Sequence, residues 1–368
     1  LATNQYKDNY PKFANMVSMV FHESLKIYRH TINKDDRKVD EFFDRFQSSI
    51  KKQYCKYLLG AEDNDEKLEE FDVVTGVANS GMHAFYIAMG MAYKMHGSQQ
   101  GTRLQVGGYD YYEHRDNDLL WNKSDEGSEV MDHTPTYVFR ICPGSVQTAE
   151  GIQRKIDVND YIKSHIQSLI TPDDDNTYTL IMDTTSTEYK NLKLTSENKK
   201  LLETGKLRLI IFESSQKFGQ AHTDKLQAGK CTILQKKGLP DLEKFKSDAR
   251  TDFKKSPDQQ GLALMQTSNV DTLEEIKNKH FDNGDNLNEL FRISFGDEDN
   301  GCGSLNFKIA RGRDHMAFVN INVDETEKNV ELMDKKLKWN KALQYIVRYS
   351  IINRDSFGHS HWASQQIF

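Results

Sequence analysis

The sequence predicts an α/β protein whose main sheet is mostly parallel. The two most evident buried strands are Tyr-Thr-Leu-Ile-Met at 178–182 and Leu-Arg-Leu-Ile-Ile-Phe at 207–212. Largely apolar runs of this length are typical of parallel strands that are covered on both faces. Helical patterns alternate with the strand-like runs, which is typical of a layered α/β domain.

The elements upstream of these strands follow from their periodicity. Residues 15–56 carry apolar and aromatic side chains at helical spacing, and no strand pattern interrupts them. The acidic stretch at 62–70 predicts a solvated loop or the end of a helix. A short apolar run at 71–74 is followed by Thr75-Gly76. After that, a stripe of apolar residues at steps of three and four predicts a buried helix: Met82, Phe85, Tyr86, Met89, Ala92 and Tyr93.

The remaining elements predict a second, smaller domain. Short strand-like runs at 104–106 and 137–141 and a helix over 158–170 complete the first domain. Beyond about residue 236 the chain is more polar, and Pro240 and Pro257 interrupt it. An alternating run at 316–323 and a helical pattern at 325–346 then predict a small α+β unit. We therefore predict three parts: a helical segment at 1–60, a large domain at 61–240 and a smaller C-terminal domain at 241–368.

Composition argues against several classes of protein. The 368 residues include 49 Lys and Arg against 55 Asp and Glu, and the formal net charge of -6 argues against a nucleic-acid binder. No run of eighteen apolar residues predicts a membrane span, and no charged-then-apolar opening segment indicates secretion. The chain begins at Leu1 rather than Met, as expected of a fragment or a processed protein.

The cysteines and histidines predict neither a disulfide framework nor a metal centre. The four cysteines are scattered, which is typical of a protein in a reducing cytoplasm. His359 and His361 are two residues apart and lack a third ligand, so polar turn residues are the expected interpretation.

Polar residues follow both buried strands, at the edge where open α/β sheets bind ligands. Asp183-Thr184-Thr185 follows the first strand, and Glu213-Ser214-Ser215-Gln216-Lys217 follows the second. Upstream, Asn79-Ser80-Gly81-Met82 begins the predicted helix, whose free backbone N–H groups suit an anion such as phosphate. Three tyrosines follow the run at 104–106: Tyr109, Tyr111 and Tyr112. Each feature alone is an ordinary cap, turn, solvated charge or core residue, so the prediction depends on their combination.

This combination resembles the fold-type I pyridoxal-phosphate enzymes, and within them the cysteine and methionine metabolism family of cystathionine lyases and synthases. Ser215-Gln216-Lys217-Phe218, followed by His222-Thr223-Asp224, is similar to that family's S-x-K-Y-x-x-G-H-S-D lysine segment. In this chain Ala221 stands in place of the segment's glycine, and the next glycine is shifted by one residue.

Further motifs support the resemblance over residues 28–235. Ala78-Asn79-Ser80-Gly81-Met82-His83-Ala84 is similar to the family's S-S-G-M-A-A phosphate loop, and Asp183-Thr184-Thr185 resembles its D-N-T element. Tyr28, His30 and Asn33 stand where the family has Y-x-R-x-x-N, with histidine in place of the arginine. No counterpart of the family's E-T-P-x-N-P segment is evident.

The resemblance implies a three-layer large domain like that of aspartate aminotransferase, with pyridoxal 5'-phosphate as the cofactor. Lys217 would hold the cofactor's aldehyde as a Schiff base and move protons, and Asp183 would bind the pyridine nitrogen. The other expected contacts are ring stacking by Tyr111 or Tyr112, a hydrogen bond from Thr185, and phosphate contacts from Ser80, Gly81, Met82 and Ser215. Tyr28 is expected to reach the phosphate of a partner subunit, because the family implies a homodimer with its N-terminal helices on the partner.

The residue that would bind the substrate's α-carboxylate stays open. Arg292-Ile293-Ser294-Phe295-Gly296 looks like the family's R-L-S-x-G-x-E strand, whereas Asp355-Ser356-Phe357-Gly358 looks like the S-L-G-G turn that should precede it. Because the order is reversed, one of the two matches is fortuitous. Arg292 or Arg354, with Ser356 nearby, could supply the contact, or the arginine lies beyond Phe368, or there is none.

The resemblance implies a cytoplasmic enzyme that acts on an amino acid. Elimination or replacement is the expected reaction, because the lysine segment looks most like the cystathionine group, and transamination is an alternative. A rival from another class is a protein that keeps the fold for binding or interaction, with little catalysis, in a regulatory or host-directed role. An unrelated α/β enzyme is a third interpretation.

Overall fold

The structure is a computed structural model of the chain. It describes residues 36–60, 69–96, 157–171, 175–185, 187, 189–215, 226–239 and 242–268, together with short strands and single helical positions elsewhere.

The described strands form one mixed six-stranded sheet. Its members are β1 Phe71–Ala78, β2 Leu104–Gly107, β3 Thr136–Arg140, β4 Tyr178–Asp183, β5 Leu207–Ser214 and β6 Gly229–Lys236, in the order β1-β6-β5-β4-β3-β2. The pairs β2–β3, β3–β4 and β4–β5 are parallel, whereas β6 is antiparallel to both β5 and β1. Five strands therefore run in one direction, which confirms the predicted α/β class with a mostly parallel sheet.

Helices cover both faces of this sheet. They are α1 Asp36–Tyr54, α2 Gly81–His96, α3 Val158–His165, α4 Ser196–Glu203, α5 Glu243–Lys255 and α6 Pro257–Ser268. A π-helical turn, Cys55–Leu59, follows α1, and 3-10 turns lie at Gln167–Leu169 and Tyr189–Leu192. Towards the C-terminus, β7 Phe307–Ala310 pairs with β8 Asn320–Val323, and β9 Ile352–Asn353 pairs with β10 Ala363–Ser364.

Alternate side chains of the central strands enter two separate cores, as the two-residue period of a strand requires. Met182 and Ile211 pack in the core that also contains residues of α1, α3, α4 and α6, and we call this side of the sheet the α1 face. Ile181 and Phe212 pack instead with Phe85 and other residues of α2, on the side we call the α2 face. One residue along a strand therefore decides which face a side chain reaches.

The edge strand β1 is longer than the sequence predicted. Thr75-Gly76 was expected to follow a strand that ended at 74, but β1 continues to Ala78. The side-chain amide of Gln47, on α1, donates to Thr75 O at 2.6 Å and accepts from Thr75 N at 2.8 Å. These two bonds satisfy the backbone of Thr75 on the open side of the strand, and its hydroxyl lies 2.9 Å from that of Thr232 on β6.

Several other predicted boundaries need correction. The strand β6 and the helices α5 and α6 were not predicted, and Pro257 is the first residue of α6, where proline is favoured, rather than an interruption. The helix expected over 158–170 ends as an α-helix at His165 and continues as a 3-10 turn. Asp183 and Ser214 are the last residues of their strands rather than residues that follow them.

The three-part division of the chain stays a prediction. Phe245 and Phe253, which it places in the smaller domain, pack in the cores of the main sheet. The expected helices at 15–35 and 325–346 lie outside the described residues. Among the described helices, none is both long enough and apolar enough to cross a membrane.

Candidate functional site

The first turn of α2 carries two backbone N–H groups for which the described residues provide no acceptor. Ser80 caps the helix, because its Oγ accepts from His83 N at 3.1 Å and its carbonyl accepts from Ala84 N at 3.0 Å. The N–H groups of Gly81 and Met82 come too early in the helix to have intrahelical acceptors. They lie at the positive end of the helix dipole, where negative charge is stabilised.

This turn packs directly on the ends of β5 and β6. A Cβ atom on Gly81 would lie 2.5 Å from Cβ and 2.9 Å from Cα of Ser214, and one on Gly229 would lie 2.3 Å from Ser80 O. All three distances are too short for a side chain, so glycine is required at both positions unless the backbone moves. The close approach brings the helix donors next to the last residue of β5.

Asp183 lies at the same end of the sheet, at the carboxyl end of β4, which is the neighbour of β5. It is the last residue of β4, pairs with Phe212 in the register of β4 and β5, and is 6% exposed. Its Oδ1 accepts from Thr185 N at 2.9 Å, and Thr185 Oγ1 in turn accepts from Ser214 N at 2.9 Å. Because Asp183 alternates with Met182, its side chain is on the α2 face, the same side as the first turn of α2.

Ser214 and Ser215 have opposite surroundings. Ser214 is half-buried beside Gly81 on the α2 face, whereas Ser215 is fully buried and its hydroxyl donates to Glu213 Oε1 at 3.4 Å. The sequence prediction placed Ser215 among the phosphate contacts. The structure puts Ser214 next to the helix donors instead, because a strand turns consecutive side chains to opposite faces.

The side chains of Gln259 and His83 also support the start of α2; sequence analysis did not identify Gln259 and gave His83 no role of its own. Gln259 of α6 is buried and its Nε2 donates to Asn79 Oδ1 at 3.3 Å, while Asn79 N donates to His83 Nδ1 at 3.4 Å. No local pattern links Gln259 to a residue 180 positions earlier. The contact of His83 with Asn79 is local. Because the two residues are four positions apart at a helix start, the sequence could have indicated it.

Two buried cationic side chains contact residues of β5 or its neighbouring strands, one on each face of the sheet: Lys230 of β6 and Arg208 of β5. On the α1 face, Lys230 Nζ lies 3.3 Å from Glu213 Oε1. On the α2 face, Arg208 donates to Gln235 Oε1 at 2.8 Å and to Thr179 Oγ1 at 3.4 Å, and no ion pair of the described residues includes it. Burial lowers the pKa of the Arg208 guanidinium from its ordinary value to about 10.

The other predicted site residues lie outside the described residues: Tyr28, Tyr111, Tyr112, Lys217, Arg292, Arg354 and Ser356.

The described donors and acceptors fit a phosphorylated pyridine. Two helix N–H groups, with the hydroxyls of Ser80 and Ser214 beside them, suit a phosphate, and a buried carboxylate on the same face suits a protonated ring nitrogen. The described residues contain no cluster of three or more His, Cys, Asp or Glu side chains that could bind a metal ion.

Comparison with known proteins gives similar folds and no sequence family. No family model and no curated protein matches the chain. Solved structures that resemble it include several aminotransferases. One is the aromatic-amino-acid aminotransferase of Burkholderia pseudomallei, described as covalently bound to pyridoxal phosphate, with 13% identity and a TM-score of 0.43 over 68% of this chain and 65% of that one.

Two others are an alanine aminotransferase from Pyrococcus furiosus and an aspartate aminotransferase of Plasmodium falciparum. The first has 10% identity and a TM-score of 0.44 over 77% of this chain and 68% of that one. The second has 13% identity and a TM-score of 0.42 over 83% and 86%. Sequence identities and TM-scores as low as these say nothing about activity.

Proposed function

We propose that this protein is a pyridoxal-phosphate-dependent enzyme that acts on an amino acid, with Lys217 as the residue that holds the cofactor. The observation that carries the proposal is the meeting of two features at one end of the sheet. The N–H groups of Gly81 and Met82 and the carboxylate of Asp183 share the α2 face, next to Ser214, the last residue of β5. This is the arrangement that the motif resemblance requires. Lys217 itself enters through the motif resemblance.

Each described residue has a definite task in this proposal. Gly81 N, Met82 N and the hydroxyls of Ser80 and Ser214 bind the phosphate. Asp183 accepts a hydrogen bond from the ring nitrogen and keeps it protonated, and its orientation is fixed by the bond from Thr185 N. When bound, pyridoxal phosphate supplies an electron sink for the α-carbon of an amino acid. The amine of Lys217 then moves the proton at that carbon.

The lysine segment's resemblance favours elimination or replacement over transamination. These three reactions are distinguished by the fate of the amino group when the purified protein is mixed with pyridoxal phosphate and a panel of amino acids. Elimination releases ammonia together with a 2-oxo acid, and replacement exchanges the substituent at the side chain. Transamination yields more than one equivalent of 2-oxo acid per cofactor only when a second 2-oxo acid takes up the amino group, and it releases no ammonia.

The deciding experiment is borohydride trapping of the cofactor, followed by peptide mapping. Wild-type protein incubated with pyridoxal phosphate is expected to show a near-ultraviolet or visible band and a reduced adduct on Lys217. The variant Lys217→Ala should lose both. Asp183→Asn should keep the adduct but bind the cofactor more weakly, by about 1.5–3 kcal/mol for the loss of a charge-assisted hydrogen bond.

Absence of an adduct on Lys217 in wild-type protein with a cooperative unfolding transition would refute the proposal. The interpretation as a binding protein with little catalysis would then take its place. In a protein that forms the adduct, Arg292→Lys and Arg354→Lys would show which arginine binds the substrate carboxylate, since the KM for the amino acid should rise in only one of them.

A further inference from the structure

The ends of β5 and β6 are joined on the α1 face by a buried ion pair. Glu213 and Lys230 are direct cross-strand partners, with Nζ 3.3 Å from Oε1 and side chains that are 4% and 0% exposed. The hydroxyl of Ser215 donates to the same carboxylate oxygen, and the ring centre of Tyr54, at the end of α1, is 5.5 Å from Lys230 Nζ. Each charge therefore has specific partners.

The location of this pair distinguishes it from an ordinary stabilising contact. Burying two charges costs desolvation free energy that an apolar pair of the same volume would not cost. The pair lies directly below the point where the chain leaves β5 and returns to β6. Above it, Ser214 pairs with Gly229, and Ser215 N donates to Ala228 O at 3.0 Å.

The same strand ends also support the start of α2. Ser80 O lies over Gly229 with no room for a side chain, and Gly81 lies equally close to Ser214. A shift of β6 against β5 would therefore move the N–H donors of Gly81 and Met82 as well as both ends of the segment that contains Lys217.

We propose that Glu213 and Lys230 are positioning residues, which fix the two strand ends between which the Lys217 segment runs and on which α2 begins. This inference rests on the proposed function of Lys217. The two side chains are on the face opposite Asp183, so they act through the backbone of Ser215 and Gly229 rather than through contact with a ligand.

The test replaces both charges at once by side chains of similar size, in Glu213→Gln/Lys230→Met. The matched control is Asp40→Asn/Lys254→Met, which removes a partly exposed ion pair of 2.8 Å between α1 and α5, on the same side of the sheet, together with the 3.6 Å contact between Asp40 and Arg250. Two quantities are measured in each variant. The first is amide hydrogen exchange of peptides that cover 210–232, without cofactor, and the second is the fraction of Lys217 that pyridoxal phosphate and borohydride label.

In the test variant we expect exchange in this peptide to be faster by about 10-fold and labelling of Lys217 to fall several-fold. The control should match wild-type protein in both measurements. Lys230→Arg, which keeps the opposite charges, should also stay near wild type, and it provides the test if the double variant does not fold. The inference would be overturned if the double variant folds and its exchange and labelling are unchanged. It would also be overturned if Lys230→Arg folds but shows effects on exchange and labelling as large as those expected of the double variant.

The two proposals fail in different ways. If wild-type protein shows no labelling of Lys217, the proposed function fails. Faster exchange in the double variant alone would still support the role of the ion pair in fixing the strand ends.

Discussion

The last residues of β5 have opposite roles on the two faces of the sheet. On the α2 face, Ser214 lies beside Gly81, close to donors that have no intrahelical partner. On the α1 face, Glu213 and Ser215 are buried and bonded within the protein, with Lys230 as the counter-charge. Of three consecutive residues, Ser214 therefore faces the candidate ligand site, whereas Glu213 and Ser215 belong to a buried network with Lys230.

Under the two proposals above, a ligand site is held in place by groups that do not touch the ligand. On the α1 face, Glu213 contacts both Lys230 and Ser215, and in the proposal these contacts hold the strand ends in place. On the α2 face, the N–H groups of Gly81 and Met82 have no intrahelical acceptor, so they can bind an anion. Variants that alter one face and spare the other can test this division.

The largest effect is expected on the α1 face. Lys230→Met removes the cation that lies 3.3 Å from the buried Glu213 carboxylate, which should lower the free energy of unfolding by about 3–5 kcal/mol in urea denaturation. Arg208→Met removes the buried cation of the α2 face, which has neutral hydrogen-bond acceptors and no carboxylate among the described residues, and it should change stability by about 1 kcal/mol or less. Equal losses in the two variants would contradict the distinction between them.

A smaller effect is expected where α2 meets β5. Gly81→Ala places a methyl group 2.5 Å from Ser214 Cβ, so overpacking should cost about 1–3 kcal/mol and weaken cofactor binding. Gly90→Ala is the matched control in the same helix, where a Cβ atom meets nothing within 4 Å. There, helix propensity should raise stability by about 0.5–1 kcal/mol. The comparison fails if Gly81→Ala is as stable as Gly90→Ala in thermal unfolding.

The smallest effect separates two neighbouring hydroxyls. Ser214→Ala should weaken binding of pyridoxal phosphate by about 0.5–1.5 kcal/mol, a few-fold to roughly 10-fold in Kd, with little change in stability. Ser215→Ala should instead lower stability by a similar amount and leave the cofactor Kd almost unchanged, because its hydroxyl bonds to Glu213. Fluorescence titration and thermal unfolding of both variants give the two quantities. The reverse pattern would assign the phosphate contact to Ser215, as the sequence predicted.

The most regular elements could be read from the sequence. The strands β4 and β5 and the helix α2 are predictable because their apolar side chains follow a local period. The strand β6 is different, since Lys230, Thr232 and Gln235 interrupt its apolar pattern although all three are buried. Each of them has a partner on a neighbouring strand: Glu213, Thr75 and Arg208, respectively.

The candidate site divides in the same way. The motifs identified Ser80, Gly81 and Asp183, and the structure brings these residues to one edge of the sheet. Gln259 and Ser214 could not be assigned, because the first acts across 180 residues and the second differs from Ser215 only in the face it reaches.

By itself, the sequence determined which segments form the core strands and where polar groups follow them, because both depend on neighbours along the chain. The tertiary structure decided which polar side chains are buried as partners and which remain free for a ligand. The physical reason is that a buried charge or amide is tolerated only where another strand or helix supplies its complement. That complement lies far away in sequence, as Glu213 does from Lys230 and Gln47 does from Thr75.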